Sequence, residues 1–174
     1  TTATISKAVL AVSGISASDK TYDGNTAASL IGTASVTAIG ADDVAVTGTG
    51  LGTFADKNAG TGKAVTATGY TLTGGDAGNY NLIQPTGLTA TISQKALSVS
   101  GISASNKTYD GTTAATLDTA QASFAGIVSG DSLSIGSASG AFADKNAGAG
   151  KAVTVTGITL GGADAGNYTL LSDA

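Results

Sequence analysis

Gly74-Gly75-Asp76-Ala77-Gly78-Asn79-Tyr80-Asn81-Leu82 joins a run of turn formers to an alternating apolar segment, and it returns as Gly162-Ala163-Asp164-Ala165-Gly166-Asn167-Tyr168-Thr169-Leu170. Glycine reaches positive φ without a steric penalty, and short polar side chains bond to nearby backbone, so the first half of each stretch reads as a tight turn. Tyr80 and Leu82, like Tyr168 and Leu170, stand two apart and therefore share one face of a strand. A turn followed at once by a half-buried strand, written twice, sets the expectation of a β protein built from repeats.

The same residues look like the tyrosine corner of immunoglobulin-type sandwiches, in which a Tyr entering a late strand bonds its hydroxyl to upstream backbone. In that reading Asp76, Gly78 and Tyr80, with Asp164, Gly166 and Tyr168, form a structural motif that pins a crossover between sheets. The cysteine expected two residues on is replaced by Leu82 and Leu170, so no intersheet disulfide forms. A small turn before an ordinary strand is the alternative.

Neighbouring segments carry the same period of two. Leu10 and Val12 share a face, as do Leu97 and Val99, and Ala90 and Ile92. Those faces are expected to meet in the core. The runs Ala64 to Thr73 and Ala152 to Leu160 are rich in Val and Thr and suit central strands, with Gly69 and Gly157 marking a bulge or close packing. Asp23-Gly24, Asp110-Gly111 and Gln84-Pro85-Thr86-Gly87 punctuate them as turns. No helical stripe is sustained. Short strands at regular intervals predict an all-β chain of immunoglobulin-like β-sandwiches; a β-grasp unit is the alternative and requires a helix across the sheet.

Repetition sets the domain organisation. Asp19-Lys20-Thr21-Tyr22-Asp23-Gly24-Asn25-Thr26-Ala27-Ala28 returns as Asn106-Lys107-Thr108-Tyr109-Asp110-Gly111-Thr112-Thr113-Ala114-Ala115, and Phe54-Ala55-Asp56-Lys57-Asn58-Ala59-Gly60 returns unchanged as Phe142 to Gly148. The offset grows from 87 at Tyr109 to 88 at Asn146, which places an inserted residue between Leu117 and Phe142. Two domains follow, residues 1–87 and 88–174. Thr2-Ala3-Thr4-Ile5-Ser6 matches Thr89-Ala90-Thr91-Ile92-Ser93, so that strand belongs to either neighbour. Leu88 to Ser100 contains no Gly or Pro, which predicts a stiff junction. Near-identical tandem copies suit an array better than a single active site.

Composition narrows function further. The 174 residues contain no His and no Cys, every base is Lys and every acid is Asp. Imidazole bases, thiolates, zinc clusters and bidentate guanidinium forks are therefore absent. A net charge of -4 argues against nucleic acid, whose binding draws on Lys and Arg at phosphates. No apolar run is long enough to span a bilayer, so membrane insertion is not expected. Thr1 opens the chain without an initiator Met or a signal pattern, which reads as a piece of a longer protein. Lack of Cys fits a protein exported unfolded.

Lys20-Thr21-Tyr22-Asp23-Gly24 and Lys107-Thr108-Tyr109-Asp110-Gly111, with the Ala-Asp-Lys-Asn-Ala-Gly and Ala-Gly-Asn-Tyr blocks, resemble the YDG repeat family and the related MBG-type repeats of very large bacterial surface proteins. The resemblance implies arrays in filamentous-haemagglutinin-like secreted adhesins, between an export region and distal functional parts. It implies no catalytic residues. The signature maps to Tyr22, Asp23 and Gly24 and to Tyr109, Asp110 and Gly111, most simply as a structural turn in which Gly supplies positive φ, Asp caps and Tyr packs. An aromatic ring beside a carboxylate also suits sugar binding.

Two further constellations draw attention. Asp42-Asp43, Asp56 and Asp76, with Asp131, Asp144 and Asp164, supply oxygen ligands for calcium, although their spacing matches no EF-hand and surface solvation serves as well. No other cofactor is expected. Lys57-Asn58 beside Asp56, repeated as Asp144-Lys145-Asn146, contains the ingredients of a Lys to Asn isopeptide crosslink, with Lys20 or Lys63 and Asn79 the least unreasonable pair. The expected function is structural and non-catalytic: stalk repeats of an extracellular adhesin, whose partners are neighbouring repeats of the chain. A module that binds carbohydrate or host protein through loops is the rival, and an enzyme acting on polysaccharide would require paired carboxylates across a cleft.

Overall fold

The computed structural model describes residues 1–171, which form two compact units. The first comprises Thr1–Thr21 and Asn25–Ser93; Tyr22–Gly24 is grouped with the second, which runs from Gln94 onward. The chain is all-β, with sheets of a sandwich or barrel-like fold. Among the described residues the helical elements are two single 3-10 turns, Ala77–Asn79 and Ala165–Asn167, so the helix required by the β-grasp alternative is missing.

In the first unit the strands are β1 (Ala8–Ala11), β2 (Ser13–Ala17), β3 (Lys20–Thr21), β4 (Ala27–Ala28), β5 (Leu30–Ser35), β6 (Ala45–Thr47), β7 (Leu51–Phe54), β8 (Gly60–Thr68), β9 (Thr71–Thr73), β10 (Tyr80–Ile83) and β11 (Leu88–Ser93). A five-stranded sheet runs β3-β11-β8-β7-β4, with smaller pairings β1-β10, β2-β5 and β6-β9. β8 is its central strand, as expected for the first part of the run from Ala64 to Thr73, but the run divides at Gly69, and Thr71–Thr73 becomes β9, paired with β6 in a separate sheet. β11 lies parallel to β3 (Ile92 opposite Lys20) and antiparallel to β8 (Thr89 opposite Ala64), so the Thr-Ala-Thr-Ile strand left open by the 87/88 boundary is built into the first unit.

Period-two burial supplies the core. Leu10 and Val12 are buried while Ala11 between them is exposed, and Ala90 and Ile92 are buried either side of a half-buried Thr91. Phe54, Val65, Ala67 and Tyr80 join them. Gly69, at φ +92, ends β8; a Cβ there would sit 2.5 Å from the Thr49 carbonyl oxygen, so both the backbone angle and the close approach demand glycine.

The second unit contains β12 (Lys95–Ser100), β13 (Ser103–Ala104), β14 (Ala114–Ala115), β15 (Leu117–Asp118), β16 (Ser123–Ala125), β17 (Ser134–Phe142), β18 (Val153–Gly161) and β19 (Tyr168–Leu170). They pair as β16-β12-β19, β13-β15 and β14-β17-β18. Gly157, at φ +64, falls where the β17-β18 register slips between Ser137 and Ser139, which is the bulge its sequence position suggests. β18 is an edge strand here, contrary to the central position expected for Ala152 to Leu160. The reason is topological: among the described residues β11 and β3 have no counterpart in this unit, so β18 has one partner where β8 has two.

Candidate functional site

The doubled Asp-Ala-Gly-Asn-Tyr motif builds the same clasp in each unit. Its Ala-Gly-Asn forms a one-turn 3-10 helix, which delivers the Tyr into β10 or β19. Tyr80 is buried, and its hydroxyl donates to Asp42 Oδ2 at 2.6 Å while accepting the Ile39 amide at 3.0 Å. Tyr168 repeats this, donating to Asp131 Oδ2 at 2.6 Å and accepting the Val128 amide at 2.8 Å. The motif Asp adds a second tie: Asp76 Oδ2 accepts the Asp43 amide and Asp164 Oδ2 accepts the Ser132 amide, each at 2.9 Å. Each hydroxyl thus reaches backbone about 40 residues upstream, whereas an immunoglobulin corner bonds only a few residues back.

Electrostatics agree with that geometry. The hydrogen bond to the Asp42 carboxylate raises the Tyr80 phenol above its ordinary range, because ionisation would place two negative oxygens in contact. Tyr168 is pushed up to about 12, first by desolvation and then by its bond to Asp131. Both rings therefore remain neutral donors at physiological pH.

The Tyr-Asp-Gly segments form turns held by the preceding lysine. Gly24 and Gly111 adopt φ of +80 and +78, a region that L side chains rarely enter. In the second unit Asp110 Oδ1 accepts the Thr112 amide at 2.9 Å and the Lys107 ammonium at 2.9 Å, and Lys107 also reaches the Ala114 carbonyl in β14. These contacts, the lysine first, hold the Asp110 carboxyl down at about 2. Lys20 donates to the Asn25 carbonyl at 2.8 Å, and the two lysines stand 5.5 Å from the Phe54 and Phe142 ring centroids. Tyr22 is buried, but Tyr109 is 60% exposed.

The Ala-Asp-Lys-Asn-Ala-Gly loops use their aspartate in the same way. Asp56 Oδ1 accepts the Asn58 amide at 2.8 Å and pairs with Lys63 at 2.7 Å; Asp144 accepts the Asn146 amide and pairs with Lys151. The lysine bond, then the backbone bond, lowers both carboxyls. Lys20 and Lys63 are therefore engaged with Asn25 and Asp56, and the Asn79 pairing considered for a crosslink does not assemble. Asp42, Asp43 and Asp76 do meet at one loop, but as acceptors for Tyr80, Gly75 and Asp43 donors. Among the described residues no group of three or more such side chains is gathered to hold a metal.

Sequence reasoning missed the roles of Asp42 and Asp131 as hydroxyl acceptors. They stand 89 apart, while the flanking motifs repeat at 87 and 88, so a fixed offset does not align them. Allowing the offset to drift would have shown an Asp 38 residues before Tyr80 and 37 before Tyr168. Gln84 was read only as part of a turn; its amide accepts from the Tyr70 amide and donates to the Tyr70 carbonyl, closing the β9 end of the first unit.

Comparison with known proteins matches the YDG domain over residues 6–88 and again over 93–174. No curated protein and no solved structure matches. The two matched segments leave out Thr89–Ile92, the greater part of the strand that β8 and β3 hold in the first unit.

Proposed function

Because the chain belongs to the YDG domain family, in two tandem copies, we propose that it is a non-catalytic stalk segment of a secreted bacterial adhesin, spacing a distal binding region from the cell surface. The observation that carries the reading is what the repeats conserve between themselves. The doubled side-chain geometry, Tyr80 on Asp42 and Tyr168 on Asp131, or Lys63 on Asp56 and Lys151 on Asp144, ties segments of the fold together within each unit. Groups that reach a reacting molecule would stand open; these are spent on the fold.

The junction supports the same reading. Only Gln94 separates β11 from β12, so the last strand of one unit leads into the first strand of the next with one intervening residue. A repeat whose ends are strands can be concatenated without linkers, and in such arrays each repeat contacts only its neighbours. A glycan array and a host-cell binding assay on the chain test the proposal. The expected result is no saturable binding; robust saturable binding would replace the spacer by a carbohydrate- or host-protein-binding module.

A further inference from the structure

We propose that each unit is a tension clamp: parallel strands hold the segment by which the chain enters to the segment by which it leaves, and an end-to-end pull loads them in shear. Three pairings among the described residues are parallel, β1-β10, β3-β11 and β12-β19, and the others are antiparallel. All three join the start of a unit to its end. In the first unit β1 and β3 belong to the opening segment and β10 and β11 to the closing one; in the second, β12 is the first strand and β19 the last described.

Strand direction decides how such a ladder fails. A pull reaches the opening strand at its N-terminal end and the closing strand at its C-terminal end. In an antiparallel pair those two ends are neighbours, so the load opens the bonds one after another from that side. In a parallel pair they stand at opposite ends of the ladder, so the strands must slide and the bonds carry the load together. Ala8 lies opposite Tyr80 and Ala11 opposite Ile83, and the Val12 amide extends the ladder by donating to the Ile83 carbonyl at 2.9 Å. In the second unit Lys95 lies opposite Tyr168 and Leu97 opposite Leu170, and the Leu171 amide donates to the Leu97 carbonyl at 2.8 Å.

Sliding is opposed from both strands of the ladder. Leu10, Val12 and Leu97 are buried, so moving β1 or β12 along its axis drags apolar side chains out of packed sites. The closing strand is fastened at the pair where the ladder starts. Tyr80 and Tyr168, opposite Ala8 and Lys95, are the residues whose hydroxyls bond Asp42 and Asp131. The doubled motif thereby ties the second strand of the clamp to the rest of its unit. Spacing sets how far the chain reaches, whereas the clamp sets the tension it transmits, and it rests on strand direction within each unit and not on the spacer reading.

Single-molecule pulling on the full chain tests the clamp. The sequence has no Cys, so a pair of introduced cysteines gives two defined handles. Lys7→Cys with Thr86→Cys places them before β1 and after β10, at opposite ends of the parallel ladder; Lys7→Cys with Asn79→Cys places them at the same end. All three residues are exposed, so both variants should melt like the parent. Gly78→Cys, where an added carbon meets nothing within 4 Å, replaces Asn79→Cys if that variant melts early. At equal loading rate the first unit should unfold at a severalfold higher force when loaded from opposite ends than when loaded from the same end, because forced unfolding follows the barrier that the load must cross. Equal forces from the two directions, or a higher force from the same end, would overturn the clamp.

Discussion

Replacing Tyr80 by Phe keeps the buried ring and removes only the hydroxyl, so its effect measures the clasp itself. Two bonds are lost: the donation to Asp42 at 2.6 Å and the acceptance from the Ile39 amide at 3.0 Å. Bonds to a charged partner contribute about 1.5–3 kcal/mol and neutral ones about 0.5–1.5 kcal/mol, but this site is part-buried and water can replace some of both. The expected loss is about 1–2 kcal/mol for the first unit, with Tyr168→Phe costing about the same or somewhat more, since its hydroxyl is the more desolvated. For a domain of this size each kcal/mol lowers Tm by about 4–8 °C. Calorimetric melts of the parent and both variants read this directly, and a Tyr80→Phe, Asp42→Ala cycle should show coupling between the partners. Melts that overlay the parent would refute the clasp as a stabilising device.

Other outcomes follow from the same contacts. The Tyr168 phenol, raised in the fold to about 12, contributes stability that is full below its unfolded value near 10 and lost as pH rises through 12; pH-dependent melts should therefore fall more steeply over that window for the parent than for Tyr168→Phe. Asp110 works in the opposite direction: its carboxyl, held at about 2, contributes stability that is present above its unfolded value of 3.8 and lost on acidification toward 2, so Asp110→Asn should flatten the acid limb of the second unit's transition. Gly157→Ala, at φ +64 with open space around the added carbon, should cost about 1–2 kcal/mol, and Gly69→Ala more, because its Cβ also meets the Thr49 carbonyl; denaturant melts rank the two. Intact mass should equal the sequence mass, since Lys63 faces Asp56, and Lys20 meets the Asn25 side chain only at an exposed site without the apolar surroundings a crosslink requires; a deficit of one ammonia would establish an isopeptide bond.

What the sequence made legible was local. Alternation at Leu10 and Val12, or Ala90 and Ile92, identified strands and their buried faces because burial of a half-exposed strand is a period-two pattern. Gly24 and Gly111 were legible as turn residues because few other residues tolerate their φ. Long-range pairing was not. Nothing in Tyr80 names a partner 38 residues earlier, and the drifting offset hid the matching aspartates. Nor did identical Thr-Ala-Thr-Ile-Ser strings reveal which unit holds the strand, since the choice rests on ladder bonds to Lys20 and Ala64 that composition does not encode. The edge position of β18 was hidden for the same reason: its run of Val and Thr resembles that of β8, and it is an edge because it has one partner among the described residues.

The central claim, that these repeats serve as a spacer, is tested most directly by length. Small-angle scattering on arrays of two, four and six repeats gives the maximum dimension as a function of repeat number. The spacer account predicts a near-linear increase, as in quasi-one-dimensional proteins, and a loss of that linearity when several glycines are inserted at Gln94 and its counterparts. A maximum dimension that barely grows from two repeats to six, or one that the glycine insertions leave unchanged, would contradict it.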